Sequence, residues 1–224
     1  MPSPRIGVIS PIEVAFPTVG SAFGELWPEA EPINLLDKSL YADFVNDDMT
    51  IPDPMPDEAY DRIAKLLRYS RDCGADGIIF CGSVFGLLVE AGREGIDVPV
   101  LTSYEGMIAA AFAEGTRLGA LATTQPTIDC LSADVARYAE AHGLEYTIGG
   151  KVADGAFERL LDGDRDGHDE LIVEAAETMT EVDCLMLGQF SMGLVPQKIA
   201  PVAGRPVFTA PHTAVTKLKY LLSG

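Results

Sequence analysis

The run Arg5-Ile6-Gly7-Val8-Ile9-Ser10 returns 112 positions later as Arg117-Leu118-Gly119-Ala120-Leu121-Ala122. Two further pairs keep the same order. Ile78-Ile79-Phe80-Cys81-Gly82-Ser83 is echoed by Met186-Leu187-Gly188-Gln189-Phe190-Ser191 at an offset of 108, and Pro99-Val100-Leu101-Thr102 by Pro206-Val207-Phe208-Thr209 at 107. Three matches in one order, each at about half the chain, mark an internal duplication. Working outward, apolar strand-like runs at 5–10, 32–36, 77–81 and 98–102 alternate with helical patterns at 57–73 and 104–116. In the first of these helices Ile63, Leu66 and Leu67 give the apolar stripe and Gly74 the stop. A βαβα rhythm of this kind predicts parallel sheets covered by helices on both faces.

The expected architecture is α/β: two similar lobes with parallel sheets, pseudo-twofold related. The first takes residues 1–102, with a C-terminal helix 210–224 packing back on it, and the second takes 103–209. Ligands of open parallel sheets sit beyond the carboxyl ends of the strands, so the active site is expected in the cleft between the lobes. Four loops belong to that edge: Ser10-Pro11, Cys81-Gly82-Ser83, Thr123-Thr124 and Gln189-Phe190-Ser191.

Composition bounds the partners. The 224 residues are 47% apolar and 22% charged, with a mean hydropathy of +0.15, which excludes wholesale disorder. Sixteen Lys plus Arg against thirty-four Asp plus Glu leave a net charge of −18. That field argues against nucleic acid or an anionic membrane surface, and it obliges any small anionic substrate to find local donors. No apolar stretch reaches the ~18 residues of a membrane span, and no leader precedes the first strand, so a cytoplasmic protein is expected. Cys73, Cys81, Cys130 and Cys184 are far apart without a ligand-spacing motif, and His142, His168 and His212 are scattered. Reduced thiols and no metal centre are the expectation.

Among the loops, Cys81 closes an apolar strand before a Gly-Ser turn that is expected to open a helix. At a helix N-terminus the positive dipole end would favour the thiolate and lower its pKa. The plain alternative is a small hydrophobe ending a buried strand. Gly82 permits close backbone approach, and Ser83 can cap the helix or bind a carboxylate oxygen. Thr123, Thr124 and Thr127, with Pro126 in the first helical turn, form either a carboxylate seat or ordinary N-caps. His212, after Pro211, is a candidate acid or a surface residue, and Glu13 a candidate base or a solvated carboxylate. Packing is the expected role of Cys73, Cys130 and Cys184. Phe85, Phe190 and Met192 line an apolar pocket or belong to the core.

The quoted residues resemble the aspartate/glutamate racemase superfamily, which includes hydantoin racemase, maleate isomerase and arylmalonate decarboxylase. The resemblance rests on the duplicated pattern, the first-lobe Phe80-Cys81-Gly82-Ser83, the Thr-x-x-Thr-Ile of residues 124–128, and a second-lobe strand ending in Leu187-Gly188. It implies two Rossmann-like α/β/α lobes, no cofactor, a small-molecule carboxylate substrate and, as is common in that family, a homo-oligomer. It also implies that two cysteines work on opposite sides of a substrate carbon, while N–H and hydroxyl donors hold the carboxylate and the developing enolate. Cys81 matches the first thiol, Ser83 the donor after it, Thr124 and Thr127 the threonine motif, and Ser10-Pro11 the first ligand loop. The departure is at Gln189, where the family carries its second cysteine. An amide exchanges no proton near neutral pH but donates and accepts hydrogen bonds. Arylmalonate decarboxylase works with one thiol, although on the other lobe, and maleate isomerase uses its first-lobe cysteine as a nucleophile.

The expected function is therefore a cofactor-independent isomerase or racemase-superfamily enzyme acting on a small carboxylate or related carbonyl compound. Cys81 and Gln189 are the catalytic pair, and Ser10, Pro11, Gly82, Ser83, Thr123, Thr124, Thr127, Phe190, Ser191 and His212 the substrate-binding set. A decarboxylase of the arylmalonate type, a cysteine hydrolase with His212 as base, and a two-lobed ligand-binding protein without chemistry are the alternatives.

Overall fold

A computed structural model describes residues 3–46 and 50–223. The chain divides into two compact units, one of residues 1–105 with 214–224, the other of residues 106–213. The first unit contains β1 (Arg5–Ser10), α1 (Ala15–Leu26), β2 (Glu31–Leu36), α2 (Ser39–Phe44), α3 (Asp57–Asp72), β3 (Gly77–Phe80), α4 (Gly86–Gly92) and β4 (Val100–Leu101). After α5 (Glu105–Glu114) the second continues with β5 (Arg117–Ala122), α6 (Gln125–His142), β6 (Thr147–Val152), α7 (Ala156–Leu161), α8 (Arg165–Glu177), β7 (Cys184–Leu187), α9 (Pro196–Ala203) and β8 (Val207–Thr209). The last helix, α10 (Ala210–Ser223), follows β8 directly.

Both sheets are four-stranded and wholly parallel, ordered β2-β1-β3-β4 and β6-β5-β7-β8. The α/β expectation holds, and the three sequence echoes fall on β1/β5, β3/β7 and β4/β8. Central strands are buried on both faces, which is why β3 and β7 read as unbroken apolar runs, Gly-Ile-Ile-Phe and Cys-Leu-Met-Leu. Edge strands obey no such rule. β2 and β6 are largely exposed, and β6, Thr-Ile-Gly-Gly-Lys-Val, has no apolar pattern to announce it. Several boundaries move by a residue or two. β4 keeps only two of the five residues expected, and Cys81 lies just past β3, although its N–H still donates to Ile9 O at 2.7 Å.

One device is duplicated without a readable echo. Asp76 and Asp183, each just before the central strand, accept the N–H of Arg5 (2.8 Å) and Arg117 (2.9 Å), the first residues of β1 and β5. In the second unit the Arg117 guanidinium closes on the same carboxylate, at 2.9 and 2.6 Å. The backbone bond, then the side-chain bonds of Arg117, hold the Asp183 pKa below the usual carboxylate value.

Glycine at the third position of β1 and β5 is a packing requirement. A Cβ on Gly7 would overlap Ser70 Oγ of α3, and one on Gly119 would lie 2.8 Å from Leu185 Cδ2 and 3.1 Å from the Cys184 carbonyl oxygen. Gly7→Ala should therefore cost about 1–3 kcal/mol, read as a lower urea midpoint. The double variant Gly7→Ala/Ser70→Ala should recover most of that loss, whereas Gly119→Ala, which meets backbone, should not be relieved by trimming one side chain.

Candidate active site

In each sheet the chain reverses its direction of travel at the second strand: β1 connects outward to β2, and β2 crosses back to β3. Loops leaving β1 and β3 therefore diverge at their carboxyl ends and open a crevice, the topological switch point. In the first unit those loops carry Ser10-Pro11 and Cys81-Gly82-Ser83. In the second they carry Thr123-Thr124 and Gln189-Phe190-Ser191.

The first-unit residues do pack together. A Cβ on Gly82 would lie 2.8 Å from Phe80 Cε1, 3.0 Å from Phe85 Cδ2 and 3.3 Å from Pro11 Cγ, so glycine is required by the rings that close on it. Its φ of −131° is ordinary extended backbone. Phe80 and Phe85 meet edge to face at 6.1 Å, and Tyr41 lies 5.9 Å from Phe85. Phe85 is thus a core residue and not a pocket wall. Ser10 is completely buried, and its hydroxyl donates to Ile12 O (2.8 Å) and accepts the Ile12 N–H (3.2 Å). These two bonds shape the loop after β1. Glu13 pairs with Lys38 at 3.0 Å, both largely exposed, and is a solvated carboxylate.

Cys81 is 3% exposed. The turn after it is a 3-10 turn, Ser83–Phe85, and the α-helix begins only at Gly86, with seven residues. The expected dipole thus starts too far along the chain, and burial pushes the Cys81 thiol far above its ordinary pKa. The expectation of a favoured thiolate is corrected: burial shifts the Cys81 thiol toward its protonated form. Ser83 is half-buried, and no side-chain cap closes this turn.

In the second unit Gln189 is committed to its own neighbour. Its Oε1 accepts the Thr123 N–H at 2.8 Å, and its Nε2 donates to Thr123 Oγ1 at 2.8 Å. A backbone N–H can only donate, so this pairing fixes which end of the amide is oxygen. With Oγ1 serving as acceptor, the Thr123 hydroxyl proton remains available to a ligand. One Nε2 hydrogen is available as well. The Gln189 bracket ties the loop after β5 to the loop after β7 across the switch point.

Thr124 is the N-cap residue of α6, yet its hydroxyl does not cap the backbone; it pairs with Thr127 Oγ1 at 3.0 Å. Pro126 lies in the first turn, and the N–H groups of Gln125 and Thr127 have no acceptor inside the helix. α6 is 18 residues long, so the positive end of its dipole lies at this turn. Phe190 and Ser191 are buried, and the Ser191 carbonyl accepts from Arg165 Nη1 at 3.3 Å. Met192 belongs to the core cluster around Leu121, Ile172 and Leu187, not to a ligand pocket. His212 is half-buried in the first turn of α10, its Nδ1 2.8 Å from Thr209 Oγ1.

A further cluster escaped sequence reading. His168, completely buried, meets Asp169 at 2.8 Å through Nδ1, and Asp169 also takes Lys198 at 2.8 Å. Burial raises the Asp169 pKa, but the bonds from His168 and Lys198 outweigh it and leave it lowered. The signal was the spacing: His168, Ile172, Ala175 and Ala176 share the buried stripe of α8. The other thiols differ in exposure. Cys73 is exposed; Cys130 and Cys184 are pushed up to about 11, each by burial first and by nearby carboxylates second. Among the described residues no helix is long and apolar enough to cross a membrane.

A sequence model of the Asp/Glu/Hydantoin racemase family matches residues 18–218. No curated protein matches the sequence at a significant level. Solved structures do resemble the fold. Allantoin racemase from Klebsiella pneumoniae superposes with a TM-score of 0.74 at 19% identity, covering 99% of this chain and 88% of that one. Glutamate racemase from Thermus thermophilus, in complex with beta-chloro-D-alanine, gives 0.70 at 19% identity over 99% and 81%. Unliganded arylmalonate decarboxylase gives 0.64 at 19% identity over 99% and 94%.

Two measurements check this geometry. Gln189→Leu leaves the buried Thr123 N–H without an acceptor and should cost about 1–3 kcal/mol in urea unfolding; Gln189→Glu, which keeps the acceptor, should cost clearly less. Iodoacetamide at pH 8, followed by peptide mass mapping, should alkylate Cys73 well before Cys81, Cys130 or Cys184. Thiols with pKa near 11 are only about one-thousandth thiolate at that pH.

Proposed function

The chain belongs to the Asp/Glu/hydantoin racemase family, and from that footing we propose that it is a cofactor-independent enzyme acting on a small carboxylate or related carbonyl compound through one thiol, Cys81. The observation that carries the proposal is a buried cysteine at the carboxyl end of the central strand β3, beside the switch point of its sheet, while the equivalent position of the second sheet holds an amide. The roles follow from the chemistry of each group. The first-turn N–H groups of α6, with the hydroxyls of Thr123, Thr124 and Thr127, receive the carboxylate. Gln189 holds Thr123 in place and offers its second N–H. Gly82 and Ser83 are the donors that follow Cys81 in the first unit, and Ser191 is a further one in the second.

Burial favours a particular direction for Cys81. A thiol held protonated is an acid before it is a base. In a lyase of the decarboxylating kind, the bond from the substrate carbon to one carboxyl carbon breaks. Carbon dioxide leaves, and the electron pair remains as an enediolate on the second carboxylate. The S–H bond of Cys81 then breaks and its proton goes to carbon, after which solvent reprotonates the sulfur. Hydrogen bonds that strengthen as the enediolate charge develops lower the barrier. Isomerisation is the second reading, supported by the family: it needs Cys81 as thiolate, as nucleophile or base, and therefore a bound ligand that offsets the desolvation raising its pKa.

The test is a screen of malonates, maleate, hydantoins and amino acids, following carbon dioxide release, isomer ratio and optical rotation. Cys81→Ala should lower turnover of the substrate found by about 10²–10⁴-fold or more with an unchanged far-UV spectrum and urea midpoint within about 1 kcal/mol. In deuterium oxide the wild type should label one face of the product carbon. Full activity of Cys81→Ala removes the proposal, and equal labelling of both faces removes the one-thiol mechanism.

A further inference from the structure

The first unit holds a cavity of about 240 Å³ away from the switch-point loops, lined by residues that include Gly7, Ile33, Leu35, Ser70, Cys73 and Ala75. Its position follows from the pleat. Arg5 and Gly7 of β1 share a sheet face with their partners Glu31 and Ile33 of β2, and Leu35 continues that face. Helix α3 covers this face over Gly7, where Ser70 packs against the missing side chain. Beyond it β2 is left partly uncovered, with Ile33 37% exposed. The site loop at Ser10 is at the opposite end of β1.

We propose that this cavity binds a small uncharged amphiphile: a six-membered ring or similar apolar body carrying one amide or hydroxyl group. Size sets the first limit. A cavity of roughly 150 Å³ accepts benzene, so 240 Å³ suits a ring with a polar substituent. The walls set the second: Gly7, Ile33, Leu35 and Ala75 offer apolar contact. Ser70 is 7% exposed and its hydroxyl lies against Gly7, so it is a polar anchor inside the cavity, with Asn34 a second polar residue of the lining.

Charge sets the third limit. The one cation in the lining, Arg5, is already occupied: its Nη1 donates to Cys73 O at 3.1 Å and so caps the carbonyl end of α3. Its backbone N–H is held by Asp76 at 2.8 Å. Tyr69 is likewise engaged with the Cys73 side chain. An anion would meet the negative end of α3 and a protein of net charge −18, and an ammonium would meet Arg5. A neutral ligand meets neither penalty. This site is independent of the chemistry proposed for Cys81.

Cys73 supplies the readout, because it lines the cavity and is exposed. Benzamide is the probe, with benzoate and benzylamine as charged counterparts of similar shape. For a ligand of nine non-hydrogen atoms a Kd on the order of 1 mM is expected, so 10 mM benzamide should slow iodoacetamide alkylation of Cys73 about tenfold in the full-length protein. Benzoate and benzylamine at the same concentration should change the rate less than about twofold. Ser70→Ala should weaken benzamide protection roughly fivefold, and Ala75→Leu, which fills the cavity, should abolish it. Absence of protection by benzamide in the wild type overturns the proposal. So does equal protection by benzoate, or undiminished protection in both variants. None of these readings depends on turnover, so failure here and failure of Cys81→Ala to lose activity are separate results.

Discussion

Everything in this molecule follows from parallel strand pairing. A parallel pair cannot be joined by a tight turn, so every connection becomes a crossover, and the helices that make the crossovers bury both sheet faces. Starting such a sheet in its middle, as both units do, forces the second connection to return past the first strand. The loops on either side of that reversal lead to helices on opposite faces of the sheet. The crevice is thus a topological consequence, and the side chains that decorate it are free to vary. Cys81 and Gln189 occupy equivalent places in their sheets for this reason, although one carries a thiol and the other an amide.

The two places have been used differently. In the first unit the loop residues are drawn inward: Ser10 satisfies itself on Ile12, Gly82 lets Phe80, Phe85 and Pro11 close together, and the sulfur is desolvated. In the second unit the equivalent loops are tied to each other by an amide bracket between Gln189 and Thr123, beside the Thr124–Thr127 hydroxyl pair. A second thiol in place of Gln189 would remove that bracket. Gln189 therefore orders the donors of Thr123 in the loop after β5. Desolvation acts on the Cys81 thiol in the direction of its protonated form.

How much of this was readable varied by element, for physical reasons. The central strands and the helix 57–72 were legible because burial on both faces, or on one stripe, writes itself as an apolar period. β6 was not, because an exposed edge strand needs no apolar pattern and this one contains Gly149, Gly150 and Lys151. The strand-end residues were also legible, since a strand must end in a loop and the echo located four of them. Their states were not. Whether Ser10 faces a ligand or its own backbone, whether Thr124 caps a helix or pairs with Thr127, and whether the helix after Cys81 begins at Ser83 or Gly86 depend on a few degrees of backbone and on neighbours far along the chain. His168 and Asp169 could be seen as adjacent residues, but Lys198, which completes the cluster, comes from another helix.

By itself, then, the sequence determined the α/β class, the duplication, the order of the chemistry-bearing loops and the placing of Cys81 and Gln189 at echoed strand ends, because each is a matter of pattern and spacing along one dimension. Tertiary structure alone decided the burial of Cys81, the partner of Gln189, the closure of Ser10 on its own loop and the cavity beside α3. Those depend on which surfaces lose water and which donors come within 3 Å, and desolvation and hydrogen bonding are properties of neighbours in space, which a linear pattern does not specify.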